Sequence, residues 1–363
     1  MSVPEAPAIA EGTAGPGGAG DDEGVARAGD VRGAVAAWVA FWDERESPTC
    51  LALIRMLVAV AVLVDLVTLA AHGATTWLWA PPERGGTAIW DAADPPLLSG
   101  LVASTVGGAW LLWGGLALSA LCIAVGWHTR AAALAHVFFS VQAALINGPA
   151  DRAIDRLIRI VLLILVLSPA GSAWSLDARL STGRFRGLPA PRSAWARHLI
   201  AAQLVLTYFG AGLAKGGTHW YPWGGYNALY LTLQDPIFSV AAGAAWLEQP
   251  VPYFATRVGT AVTHLWELGA PLVLLAAYYR RTADRPGRLR RAFNRLPVRG
   301  VYVALGVTFH LSLAAVLRLG IFPFAMLACF PAFFHPSEIE RALGRARQLW
   351  KKAQRGDQHV EPA

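Results

Sequence analysis

Charge is what this sequence has least of. Only 15% of its 363 residues are charged and 55% are hydrophobic, against about 25% charged in an average soluble domain. Mean hydropathy is +0.41. So few charges cannot clothe a water-facing surface, which excludes an ordinary soluble enzyme and a disordered chain. Cysteine is scarce as well. Cys50, Cys122 and Cys329 lie in or beside apolar runs with no CxxC pair, which excludes a disulfide framework. No Cys/His cluster has zinc spacing, so no metal is expected. Lysine is nearly missing: Lys215, Lys351 and Lys352 stand alone among 31 Lys and Arg residues. The net charge of +7 does not signal nucleic acid, because the basic residues crowd the connections between apolar runs and form no solvated basic domain.

What is there instead is a series of long apolar runs, several near the roughly 20 residues that cross a bilayer core. They predict an all-α, polytopic helical membrane protein with about eight spans, at 49–71, 98–126, 131–147, 153–168, 194–214, 255–279, 299–317 and 319–335. The fourth and eighth are short, and Pro169 and Pro336 follow them. The runs are continuous and do not alternate, which disfavours a barrel. Arginines collect in 169–193, in 280–298 and in the C-terminal tail, whereas 72–97 holds Arg84 alone and 215–254 opens on Lys215. By the positive-inside bias this predicts N-in, C-in topology in the cell membrane, with the bilayer as the first partner.

Residues 1–30, rich in Gly, Ala, Pro and acids, read as a disordered tail with no signal-peptide pattern. Residues 31–336 form the transmembrane domain, which begins with an amphipathic stretch carrying Val35, Trp38, Val39, Phe41 and Trp42. In the long outer segment, 219–226 is aromatic and turn-forming, and the apolar run 237–247 is expected to be a re-entrant or interfacial helix. Residues 337–363 begin with a capping box at Ser337 and place Ile339, Leu343, Ala346 and Trp350 at helical spacing opposite Arg and Lys. This predicts a basic helix on the inner leaflet.

Ionisable groups inside spans are costly and mark function or a specific partner. Arg55 and Asp65 share the first span but lie about 15 Å apart along its axis, so each is expected to meet a partner on a neighbouring helix. Arg159 either snorkels or holds an anionic ligand or carboxylate. Lys215 departs from the chain's preference for Arg. A desolvated Lys gives up its proton where Arg does not, so Lys215 is a candidate base, with a snorkelling anchor as the alternative. His264 and Glu267, three residues apart, share a helix face, and His310 follows in the next span. A lone buried His is commonly structural. Three such groups beside a Lys at similar depth point to a site.

Several strings then resemble one family. Tyr208-Phe209-Gly210-Ala211-Gly212-Leu213-Ala214-Lys215, followed by Trp220 and Gly225, is similar to the Tyr-Phe-x-x-Gly-x-x-Lys segment of the vitamin K-dependent gamma-carboxylase family. Trp174-Ser175-Leu176-Asp177 is similar to its Trp-Ser-hydrophobic-Asp element. Trp266-Glu267-Leu268, Phe309-His310 and Leu319-Gly320-Ile321-Phe322-Pro323-Phe324 resemble its later helices. Bacterial members are grouped as horizontally transferred transmembrane (HTTM) domain proteins, and the resemblance runs from about residue 45 to 336.

The resemblance implies a metal-free, base-driven reaction. The family's lysine deprotonates reduced vitamin K, oxygen adds, and the resulting alkoxide strips a proton from the gamma carbon of a glutamate, which then takes carbon dioxide. Lys215 falls on that lysine. The implied cofactor is reduced vitamin K or menaquinol, with His264, Glu267 and His310 as orienting or proton-relay groups and Arg159, Trp220 and Tyr208 as candidate cofactor contacts. Two departures accompany it. The family's carboxylases carry a His in the third outer connection, where this chain reads Asn147-Gly148-Pro149-Ala150-Asp151, and a large lumenal domain after the helices, where about 30 residues follow here. Quinol chemistry on another protein or small molecule is therefore expected in place of glutamate carboxylation. A non-catalytic transporter or assembly partner is the alternative.

Overall fold

Thr49–Ala71 (α1) is a 23-residue apolar helix. Leu57, Val60, Val64 and Val67 point outward, while Arg55 on the same helix is fully buried. The inversion recurs along the chain, with His136, Gln142, His264, Glu267 and His310 inside. Apolar surface outside and polar groups within suit a bilayer as solvent. The computed structural model describes residues 33, 35–36, 38–104 and 106–357, so the expected tail at 1–30 lies outside the described residues. The chain divides into two units, Met1–Glu44 and Arg45–Ala363. In the first, Trp38, Phe41 and Trp42 sit on a short helical stretch with ring centroids 5.1–6.2 Å apart.

The second unit is built of helices. After α1 come Val106–Val125 (α2), Thr129–Ile146 (α3), Ala153–Leu167 (α4) and the short Leu176–Thr182 (α5). Trp195–Ala214 (α6), Pro250–Leu268 (α7), Pro271–Arg281 (α8) and Val298–Val316 (α9) follow, then Phe322–Cys329 (α10) and Pro336–Asp357 (α11). Proline in the first turn starts α7, α8, α10 and α11, where its missing N–H costs nothing. The C-terminal helix begins at Pro336, so Ser337, the expected N-cap, is its second residue, and His335 N donates to Glu338 Oε2 at 2.8 Å at the helix start instead.

All eight expected spans are helical, but they do not all have membrane-crossing length. Among the described residues four helices, α1, α2 from Gly107, α3 and α9, are long and apolar enough, and a fifth counts if α7 and α8 form one span bent by 49°. The fourth expected span is the 15-residue α4, and the eighth divides into α10 and a 3-10 turn at Phe330–Phe333.

The expected helix at 237–247 is not there. The segment pairs its backbone with the end of α9 instead: Val240 N donates to the Val316 carbonyl and Arg318 N to that of Phe238. Gly243, at φ +74°, turns the chain where a helix would continue.

Two ties set which helix ends lie together. A two-residue antiparallel pair, Arg45–Glu46 (β1) with Arg192–Ser193 (β2), joins the starts of α1 and α6. Buried beside it, Arg197 makes a fork on Glu46, with both nitrogens 2.7 Å from the carboxylate oxygens. With their starts joined, the far ends of α1 and α6 emerge at the opposite end of the bundle. Those far ends carry Asp65 and Lys215.

The Trp-Ser-hydrophobic-Asp element has a structural reason. Ser175 Oγ accepts from Ala178 N and caps α5. Asp177 accepts from the backbone N–H groups of His128 and Thr129 and from the Thr129 hydroxyl, at 2.7–2.8 Å, and so caps α3 from another segment. Partial burial by itself would raise this carboxyl, but the Thr129 and His128 hydrogen bonds outweigh it and hold Asp177 below the usual carboxylate range. A depressed acid stabilises the fold above its unfolded pKa and loses that contribution as pH falls through its folded value. We therefore expect Asp177→Ala to cost about 1–2 kcal/mol at neutral pH, with native and variant melting midpoints converging below about pH 4. A gap that stays constant into acid would count against the cap.

Candidate functional site

Lys215 follows the last residue of α6, and its ammonium turns back along the helix. Nζ donates to Glu267 Oε2 at 2.5 Å and to the Ala211 carbonyl at 3.4 Å. It also stands 4.9 Å from the centre of the Trp220 ring, whose π face attracts a cation. The pair is poorly hydrated: the side chains of Lys215 and Glu267 are 18% and 6% exposed. Glu267 lies on the last turn of α7, just before the 49° bend into α8.

The approach of the two helices depends on a small residue. A Cβ on Gly212 would sit 3.1 Å from the Glu267 Cβ and from Leu268, so glycine lets α6 and α7 close far enough for the ion pair.

His264, one turn before Glu267, donates from Nδ1 to the Trp220 carbonyl at 3.1 Å. That bond makes Nε2 the acceptor of the neutral ring. Nε2 is buried and has no hydrogen-bond partner among the described residues. The Tyr221 ring meets the imidazole edge-on at 5.1 Å and stacks on Trp223 at 4.6 Å. Four of the expected residues, Lys215, Trp220, His264 and Glu267, are thus brought together at the C-terminal end of α6.

Tyr208 and His310 form a second, neighbouring cluster. Tyr208 Oη and His310 Nε2 are 2.7 Å apart across α6 and α9. The Tyr208 ring lies 4.5 Å from Trp266, which stacks on Tyr302 at 5.1 Å and donates to its carbonyl from Nε1. His310 is fully buried, and its Nδ1 has no hydrogen-bond partner among the described residues. The link between clusters is α7, where Trp266 serves one and Glu267 the other.

Arg159 is elsewhere. Its guanidinium binds Asp151 at 2.8 and 2.9 Å and the Ser140 hydroxyl at 3.1 Å. It lines a cavity between α1, α3 and α4. Asp65 meets Arg152 there at 2.5 Å; in place of the expected residue on a neighbouring helix, its partner is the N-cap residue of α4. Burial would raise the Asp151 carboxyl, yet the hydrogen bonds from Arg159 and Arg156 keep it lowered. Arg55 meets its expected neighbouring helix through the backbone, donating to two carbonyls of α2 and to that of Trp174. His136, another buried polar residue, lines the same cavity. Sequence reasoning passed over it because a single His in an Ala-rich run has no spacing partner.

The HTTM domain profile matches residues 44–283. The chain belongs to the HTTM domain family. The match takes in Tyr208, Lys215, Trp220, His264 and Glu267 and ends before His310. No curated protein and no solved structure gives a significant match. HTTM membership agrees with the apolar helices in making this an α-helical membrane protein.

Proposed function

We propose that this HTTM protein is a quinol-dependent epoxidase or carboxylase-type enzyme of the cell membrane, with Lys215 as its base. The observation that carries the proposal is the buried Lys215–Glu267 contact, with the unpartnered Nε2 of His264 one turn away. An orphaned buried acceptor costs about 1–3 kcal/mol, and a site that binds a hydroxyl recovers that cost when occupied.

The residues suit a quinol. Trp220 and Tyr221 offer aromatic walls, and His264 Nε2 accepts a hydrogen bond. When bound, a reduced quinone supplies a hydroxyl proton and the electrons that reduce oxygen. At 2.5 Å, the Lys215 ammonium can hand a proton to the Glu267 carboxylate, and the neutral amine then takes the hydroxyl proton. Trp220 orients His264 through its carbonyl and faces Lys215 with its ring. The Tyr208–His310 hydrogen bond lies beside this cluster, between α6 and α9.

The test is epoxide formation by purified protein reconstituted with reduced vitamin K or menaquinol and oxygen. Native protein should form epoxide, and Lys215→Ala and Lys215→Arg should each lose about a hundredfold or more. The Arg variant keeps the charge but cannot yield its proton. No epoxide from well-folded native protein would overturn the proposal.

One observation favours a second reading, a non-catalytic transporter or assembly partner. The α7–α8 span is broken at 49° and carries Glu267 at the break, an arrangement used by transporters to hold substrates within the membrane. Binding of a polar solute that Glu267→Gln abolishes, in protein that forms no epoxide, would support it.

A further inference from the structure

The cavity between α1, α3 and α4 holds about 330 Å³, within the range of small-molecule sites. It shares no lining residue with the Lys215 cluster. Its walls are mainly apolar, from Val62, Leu66, Leu116, Ile158 and Ile321.

Its rim is charged but balanced. Arg152 is held by Asp65 and Asp155, and Asp151 by Arg156 and Arg159, at 2.5–3.0 Å. Every rim charge already has its opposite, so an incoming ion would find no spare counter-charge and would have to shed water for nothing. An uncharged ligand meets no such penalty.

Inside, His136 states which group the ligand must carry. It is 4% exposed. Its Nδ1 lies 3.1 Å from the Leu116 carbonyl and 2.9 Å from Ser119 Oγ. A carbonyl only accepts, so Nδ1 carries the proton. The Ser119 hydroxyl agrees: it donates to the Gly115 carbonyl at 2.7 Å and so receives from the imidazole. The neutral ring then leaves Nε2 as a pure acceptor, and among the described residues no hydrogen bond uses it. Such a nitrogen wants a hydroxyl.

We propose that this cavity binds an uncharged amphiphile bearing a hydroxyl group, which donates to His136 Nε2 while the apolar body packs against α1, α3 and α4. Aliphatic lipid alcohols of isoprenoid or acylglycerol origin share this chemistry. The site is separate from the proposed base, and its occupancy does not depend on quinol chemistry.

The experiment measures binding of labelled farnesol and of monooleoylglycerol to the full chain in nanodiscs, with farnesyl methyl ether and oleate as comparisons. At least one alcohol should bind, and this names the source. The ether, which has no proton to give, and the anion should each bind about tenfold or more weaker, the worth of one well-made hydrogen bond. Ala143→Leu, which fills the cavity from α3, should abolish binding. His136→Leu should remove the preference for alcohol over ether. If His136→Leu does not fold, the Ala143→Leu and ether comparisons still decide. Equal binding of alcohol and ether, tighter binding of oleate, or no alcohol binding to folded protein would each overturn the proposal.

Discussion

Arg55→Met is expected to remove about 3 kcal/mol or more of stability and to leave little protein that survives extraction. Arg55 is fully buried. Its NH1 donates to the Ile123 and Ala124 carbonyls at 2.6 and 3.2 Å, and its NH2 to the Trp174 carbonyl at 2.6 Å. The first two belong to the last turn of α2, whose carbonyls have no partner within the helix. One guanidinium thus caps α2 and fixes the connection that leads into α5. The chain makes room for it at Gly126, where φ is +70° and a Cβ would lie 2.4 Å from Arg55 NH1. Methionine fills similar volume but donates nothing; the Ile123 carbonyl keeps Gly126 N at 3.2 Å, while those of Ala124 and Trp174 are stranded at about 1–3 kcal/mol each. Arg55→Lys should recover only part of the loss, because an ammonium lacks the planar fork that reaches three acceptors. The measurement is the thermal midpoint in detergent. A methionine variant that melts within about 1 kcal/mol of native would show that the cap is dispensable.

The second large effect concerns Lys215 and Glu267 as a pair. Removing one partner strands the other charge in a poorly hydrated place, at a cost of about 3–5 kcal/mol. Lys215→Met and Glu267→Met should each be strongly destabilising, while the double variant should lie closer to native than either. A buried ion pair replaced whole by apolar side chains is often neutral. The double-mutant cycle on unfolding isolates the coupling between them. Single effects that simply add would show that the two charges find other partners. The cycle concerns stability alone, so its result is independent of whether the pair moves a proton.

How legible this was depended on the kind of interaction. Apolar length announced α1, α3 and α9, because burial in lipid is a property of composition. The break between α7 and α8 was hidden inside one apolar run, although Gly269 and Pro271 mark it once it is known. The run at 237–247 misled for the opposite reason: it is apolar because Leu233, Leu247 and Leu317 form a small core of their own there, with the backbone paired to α9. Lys215 was visible through its rarity, and Glu267 and His264 through the expense of charge in a span. Their mutual contact was not, since it depends on a glycine at 212. Arg55 shows the harder limit. Backbone carbonyls are its partners, and every residue has one, so no sequence signal names them. Tyr208 and His310 are 102 residues apart, and nothing in either neighbourhood indicates the other.

The tie between the starts of α1 and α6 has a consequence for biogenesis. Glu46 and Arg197 are separated by 151 residues, so a ribosome that has released the first four long helices has not yet supplied the guanidinium that Glu46 awaits. Loops this long close slowly. The first helix must therefore enter the membrane with its acid still hydrated at the surface and accept its arginine only when α6 arrives. Until then the tie between the starts of α1 and α6 is unmade; α1 also packs against α10, made later still, so the bundle closes only when its C-terminal helices arrive.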